Sequence, residues 1–155
     1  MWNKIKPYVY WVVGTLLVGA LAAFLTRNSM DVYATLERPA LAPPGWLFPI
    51  VWTILYILMG IGAAIVYQKG KSMESASAIK LYIVQLIFNF LWTIVFFNLG
   101  WYLFAYIWLM ILWVMIIVMI VKFYRISPPA AYMQIPYLLW VTFASYLNLM
   151  IYLLN

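Results

Sequence analysis

PALAPPGWLFPIVWTILYILMGIG, residues 39–62, joins a proline-rich loop directly to a long apolar run. Pro39, Pro43, Pro44 and Pro49 each fix φ and lack an N–H donor, so they set the backbone where the apolar run begins. Trp46, Phe48, Trp52 and Tyr56 follow within a few turns. Leu and Ile alone satisfy hydrocarbon, so rings at this spacing point to a shaped recess beneath a structured loop. The run continues to Tyr67, the roughly 20 residues that a helix needs to cross a bilayer core of about 30 Å.

The rest of the chain has the same character. Of its 155 residues, 69% are hydrophobic and 8% charged, which leaves too little polar side chain to cover a soluble domain. The mean hydropathy of +1.02 agrees. Five apolar runs fit membrane helices, at about 8–26, 46–67, 79–97, 102–121 and 132–153. They are continuously apolar with no period-2 alternation, which argues against a β-barrel. The fold class expected is therefore an all-α integral membrane protein, one five-helix domain over residues 1–155 with a structured loop at 27–45. The first run is too long for a removable signal peptide and no polar mature sequence follows it, so it reads as helix 1.

Cysteine and histidine are absent. Disulfides, thiolate chemistry, imidazole bases and the usual zinc or axial haem ligands are excluded together. The net charge of +6 is not a nucleic-acid signal, because the basic residues sit at helix ends. Lys4, Lys6, Lys69, Lys71, Lys80, Lys122 and Arg125 fall on one side of a five-helix arrangement, Arg27 and Arg38 on the other. The positive-inside rule then places the N-terminus in the cytoplasm and the C-terminus and loop outside.

Along the chain, Thr15, Gly19 and Ala23 form a small-residue stripe on helix 1, read as bundle packing in preference to a dimer contact. The 27–45 loop exceeds ordinary connector length and carries Tyr33, Leu36, Leu41 and Pro43-Pro44, so it is expected to pack as a lid. In helix 2, Trp52, Tyr56 and Gly60 share a face, and Gly60, Gly62, Ala63 and Ala64 make the later half thin. The loop at 68–77 is short and polar. Helix 3 aligns Gln85, Asn89, Trp92 or Thr93, and Phe96, and amides at membrane depth must face protein or ligand. Helix 4 carries no strongly polar residue. Pro136 is expected to kink helix 5, where Trp140, Ala144 and Asn148 share a face.

These separated motifs resemble the tryptophan-rich sensory proteins of bacteria, which share a family with the animal translocator protein, the peripheral-type benzodiazepine receptor. The most specific matches are Pro43-Pro44 with Trp46 and Phe48, then Trp52, Leu55-Tyr56 and Met59-Gly60. Gln85, Asn89, Trp92 and Phe96-Phe97 match in helix 3; Pro136-Tyr137, Trp140, Phe143-Ala144 and Leu147-Asn148 match in helix 5. The resemblance implies a dimeric five-helix bundle whose ligand cavity is closed by the loop between helices 1 and 2. It implies binding of porphyrins such as protoporphyrin IX or haem, and in animal members of cholesterol and benzodiazepine-type drugs. Carried over, the cavity residues are Tyr33, Trp52, Tyr56, Gln85, Asn89, Phe90, Trp92, Trp140 and Ala144. Trp52 and Trp140 match the tryptophans tied to light-dependent porphyrin degradation.

The chain also departs from the family pattern. Leu41 stands where the loop usually has Trp, and Trp108 replaces an acidic residue early in helix 4. Predicted helix 3 has neither Gly nor Ala for the usual dimer packing. Tyr152 is followed by Leu153, Leu154 and Asn155, without the basic residue of the animal cholesterol motif.

The function expected is a receptor- or sensor-type protein that binds a planar apolar ligand, above all a porphyrin, and requires no cofactor. Its partners would be the ligand, the lipid bilayer of a bacterial cell and a second copy of the chain. One alternative is a light-dependent porphyrin-degrading enzyme using Trp52 and Trp140, since conventional catalytic groups are lacking. Another is passive translocation of tetrapyrrole or sterol-like ligands; ion-coupled transport would need ionisable residues within the spans and internal repeats.

Overall fold

A computed structural model describes residues 1–69 and 72–155, and no strand occurs among the described residues. Helix α1 spans Trp2–Thr26, starting well before the predicted Tyr8. Apolar residues are required only where lipid surrounds the helix, so hydropathy marks the bilayer span and not the helix end. A 3-10 turn at Arg27–Ser29 leads into the short helix α2, Met30–Thr35. Helix α3 spans Leu47–Gln68. Helix α4, Met73–Thr93, is capped by Ser72, whose Oγ accepts from the Ser75 N–H at 3.2 Å. Its end widens into a π-helical turn at Ile94–Leu99, closed by Gly100 at φ 65°, a left-handed position that suits glycine.

Helix α5 covers Tyr102–Ile126, the short α6 Pro128–Tyr132, and α7 Ile135–Leu154. Pro136 lies in the first turn of α7, where its missing N–H costs nothing, so it starts the helix and does not kink it. Five segments are long and apolar enough to cross a membrane: Trp2–Thr35, Leu47–Gln68, Met73–Leu99, Tyr102–Ile126 and Pro128–Leu154. The chain is an integral membrane protein built as a five-helix bundle.

Lipid tails are as apolar as Leu, so close packing and interhelical hydrogen bonds must hold such a bundle together. The later half of α3 is thin for this reason. A Cβ on Gly60 would lie 2.6 Å from the Val12 Cα, so α1 packs directly on the glycine. A Cβ on Gly62 would meet the Gln134 side chain and the Ala130 carbonyl. On α1, Thr15 is buried and shares a 2.6 Å hydrogen bond with the Tyr82 hydroxyl of α4. Gly19 faces the Tyr56 ring, while Ala23 is exposed. The α1 stripe thus serves two different neighbours inside the bundle.

Successive long helices alternate in direction, which gathers Lys4, Lys6, Lys69, Lys80, Lys122 and Arg125 at one end. There the Lys122 Nζ donates to the Ser77 Oγ at 3.0 Å. The predicted contribution of Lys71, and part of the 68–77 loop, lie outside the described residues. Arg27 and Arg38 occupy the opposite end, beside α2. Helix α4 extends past the predicted helix 3 to include Ala76 and Ala78, and Ala78 is wholly buried within the bundle.

Candidate functional site

Beneath α2 the bundle encloses a cavity of about 310 Å³, within the size range of small-molecule sites. Helix α3 contributes Phe48, Trp52 and Tyr56; α4 with its π-turn contributes Trp92, Phe96 and Phe97; α7 contributes Trp140, Ala144 and Asn148. Gly19, Ala22 and Thr26 of α1 form a smooth fourth wall.

Tyr33 of α2 is the underside of the lid, 2% exposed. Its ring meets Phe48 edge-on at 5.3 Å, and its hydroxyl donates to the Pro43 carbonyl at 3.3 Å. The Arg38 guanidinium lies 4.9 Å from the centre of the same ring. Leu36 is half-buried, but Leu41 is 69% exposed, so the expected anchor at Leu41 does not pack. Trp46 is likewise exposed and stands outside the aromatic group of Phe48, Trp52 and Tyr56. Hydrogen bonds pin the lid at both ends. The Ser29 hydroxyl donates to Asn98 Oδ1 at 2.6 Å, and Asn98 Nδ2 donates to the Leu25 carbonyl at 2.9 Å. Asn155, just past α7, bonds the backbone of Glu37.

The side walls are set ring against ring. Trp52 stacks on Tyr56, centroids 5.4 Å apart, and stands perpendicular to Trp140 at 6.5 Å. Phe48 closes on Trp140 at 6.0 Å. The Trp140 Nε1–H is buried and has no partner among the described residues. Trp92 is held differently, donating from Nε1 to Asn148 Oδ1 at 3.1 Å, while Asn148 Nδ2 donates to the Tyr102 carbonyl at 2.8 Å. That pair ties α4, α5 and α7 together at the cavity wall.

Below the rings lies a polar layer. The Tyr56 hydroxyl points at Asn89 Oδ1 across 3.5 Å, Asn89 Nδ2 donates to the Tyr137 hydroxyl at 2.9 Å, and that hydroxyl donates to Gln85 Oε1 at 2.7 Å. Of the residues predicted for the site, Tyr33, Trp52, Tyr56, Trp92, Trp140 and Ala144 line the cavity. Gln85 and Asn89 are buried in the layer beneath, joining α4 to α7. Phe90 is half-buried and outside the lining. The α1 wall was missed as a site element: its one sequence signal, the small-residue stripe, reads equally well as packing. Trp108, which stands in the place of an acid, stacks on Phe88 at 4.3 Å and donates to the Phe88 carbonyl at 2.9 Å. It is structural and does not reach the cavity.

Chemically the lining is apolar and aromatic, with one ionised side chain, Arg27, at its mouth. No cluster of His, Cys, Asp or Glu able to hold a metal occurs among the described residues. Flat, largely apolar molecules suit such walls, since rings provide stacking faces and large contact area.

Fold and cavity together define a polytopic membrane protein with an aromatic recess under the short helix α2. The chain belongs to the TspO/MBR family, whose model matches residues 6–154. It is 41% identical to the tryptophan-rich protein TspO of Chlorobaculum tepidum over 86% of this chain and 85% of that one. Identity to the tryptophan-rich protein TspO of Archaeoglobus fulgidus is 39%, over 98% and 99%. The translocator protein of Bos taurus is 35% identical over 89% of this chain and 87% of its own. It is thus a membrane protein of the sensory and translocator class.

Proposed function

We propose that the chain is a receptor for a tetrapyrrole, protoporphyrin IX or haem, held in the cavity beneath α2. The observation that carries this reading is the perpendicular pair Trp52 and Trp140, which presents two aromatic faces to one apolar space. A macrocycle stacks on one indole and abuts the other, and the buried Trp140 Nε1–H supplies a donor for a ligand acceptor. The enclosed volume is at the small end for such a ligand, so its carboxylate-bearing edge sits at the mouth beside Arg27. No resident cofactor is needed. The positive-inside rule puts the lysine-rich end in the cytoplasm and the lid outside, in a bacterial cell membrane, and the working unit is a homodimer.

The test is a titration in nanodiscs, in the dark, following quenching of tryptophan emission by protoporphyrin IX. Saturable quenching that weakens about two- to tenfold in Trp52→Phe and in Trp140→Phe supports the reading; roughly one ring contact of 0.5–1.5 kcal/mol is at stake in each. Unchanged affinity in both variants overturns it.

The same pair favours a second reading, light-driven turnover. An excited porphyrin takes one electron from an indole, and dissolved dioxygen adds to the reduced macrocycle and breaks its conjugation. The adduct returns the electron to the oxidised indole, so that the net change is porphyrin plus dioxygen to an oxygenated product. Illumination should then bleach bound porphyrin faster than free porphyrin, and equal fading with and without protein removes this reading.

A further inference from the structure

At the end of the bundle away from the cavity, a second hollow of about 420 Å³ opens on the outer flank, where the last turn of α3 meets the first turns of α4. Tyr67 forms one side; Ala76, Ile79, Lys80 and Ile83 form the other. Positions 76, 79, 80 and 83 share one face of α4. The site is open to the surroundings, with Tyr67 54% and Ile83 45% exposed. Its walls are fixed, because the buried Ser75 hydroxyl donates to the Val66 carbonyl at 2.9 Å and so locks α4 to α3.

A mostly apolar channel on the flank of a membrane protein is filled by hydrocarbon over its apolar walls, here Ala76, Ile79, Ile83 and Val84, which offer water no partner. Lys80 decides which hydrocarbon. It lies about 10 Å along α4 from the helix start, so its ammonium reaches the headgroup level while its stem lies on apolar wall. Lys122 is engaged by Ser77, and no described side chain bonds the Lys80 ammonium. This end of the bundle carries Lys4, Lys6, Lys69, Lys122 and Arg125 besides, against the single acid Glu74; Asp31 and Glu37 are at the lid end. Tyr67 adds an amphipathic ring at the same level.

We propose that this groove is a site for one anionic glycerophospholipid, with an acyl chain along Ile79 and Ile83 and the phosphate paired with Lys80. The lipid bridges α3 and α4 at the lysine-rich end and is independent of whatever occupies the cavity.

The test is native mass spectrometry of the protein released from nanodiscs of equal phosphatidylglycerol and phosphatidylcholine. One phosphatidylglycerol should be retained in preference to phosphatidylcholine. Lys80→Gln should lower that preference roughly fivefold, the worth of one lysine near a charged lipid surface. Lys80→Arg should keep it. Ala76→Trp, which places an indole in the groove from an exposed position, should remove the bound lipid. Lys4→Gln, which deletes the same charge at the same end but outside the groove, should leave the preference intact. Equal retention of the two lipids overturns the proposal, as does Lys4→Gln matching Lys80→Gln, which would mean diffuse surface attraction. An unaltered helical circular dichroism spectrum in each variant shows that the bundle has folded.

Discussion

The side chain of Asn155 pairs with the main chain of Glu37 at two points: its Oδ1 accepts from the Glu37 N–H at 3.3 Å and its Nδ2 donates to the Glu37 carbonyl at 2.9 Å. A carboxamide is the one neutral side chain type that can answer a peptide unit in this reciprocal way. The contact ties the descending arm of the lid to the end of α7, the helix that carries Trp140 and Ala144. Asn155→Ala removes both bonds and leaves two exposed main-chain groups to water, at a net cost of about 0.5–1.5 kcal/mol per bond. Amide exchange at residues 36–42 should speed up several-fold, and bound ligand should leave faster by a similar factor. Unchanged exchange there would mean that Tyr33 and the Ser29–Asn98 contact hold the lid without Asn155.

Gly60 presents a sharper case, because what it meets is backbone. With the Val12 Cα 2.6 Å and the Trp11 carbonyl oxygen 3.0 Å from the place a Cβ would take, Gly60→Ala must push α1 away from α3. Overpacking of this kind costs about 1–3 kcal/mol. Reversible unfolding in mixed micelles should show that loss, and Gly14→Ala, where nothing lies within 4 Å, should not. Equal stability in the two variants would show that α1 can shift freely.

How much of this was legible in the sequence follows from what each signal depends on. Span number and the aromatic ring positions on α3 and α7 were legible, because helical periodicity is local. Gln85 and Asn89 were rightly confined to the interior face of α4, yet their partner, the Tyr137 hydroxyl, sits on α7, and spacing cannot pair residues on different helices. Gly19 and Ala23 were legible only as small residues; that they border a cavity depends on α2 holding Tyr33 above them. Leu41, read as a lid anchor, and Trp46, read with the recess rings, both point outward, because the prolines around them fix the turn and not the direction of each side chain.

The Tyr137 hydroxyl is the hinge of the polar layer, accepting from Asn89 and donating to Gln85. Tyr137→Phe leaves a buried amide donor and a buried amide acceptor unpaired, beside the Gln85 Nε2 that already lacks a partner among the described residues. The expected loss is about 1–3 kcal/mol. Adding Gln85→Leu to Tyr137→Phe should recover part of it, because removing both partners costs less than orphaning one. A double variant that is simply the sum of the two single losses would show that these groups do not act together.

Ala144 is the small residue between Trp140 and Asn148 on α7, and it borders the cavity. Ala144→Phe therefore directs a ring into empty space of about 310 Å³ in total, where it gains contacts with Trp140 and Phe96 without displacing a neighbouring backbone. The variant should fold with a loss of no more than about 1–3 kcal/mol, the range for small-to-large changes, because the ring enters a cavity. Saturable quenching by protoporphyrin IX should nevertheless be lost, because the ring occupies the floor on which the macrocycle would rest. Ala144→Ser, which adds a single oxygen, should bind almost as the parent does. If Ala144→Phe folds and still binds tetrapyrrole with parental affinity, the ligand sits elsewhere on the molecule, and the cavity beneath α2 serves another occupant.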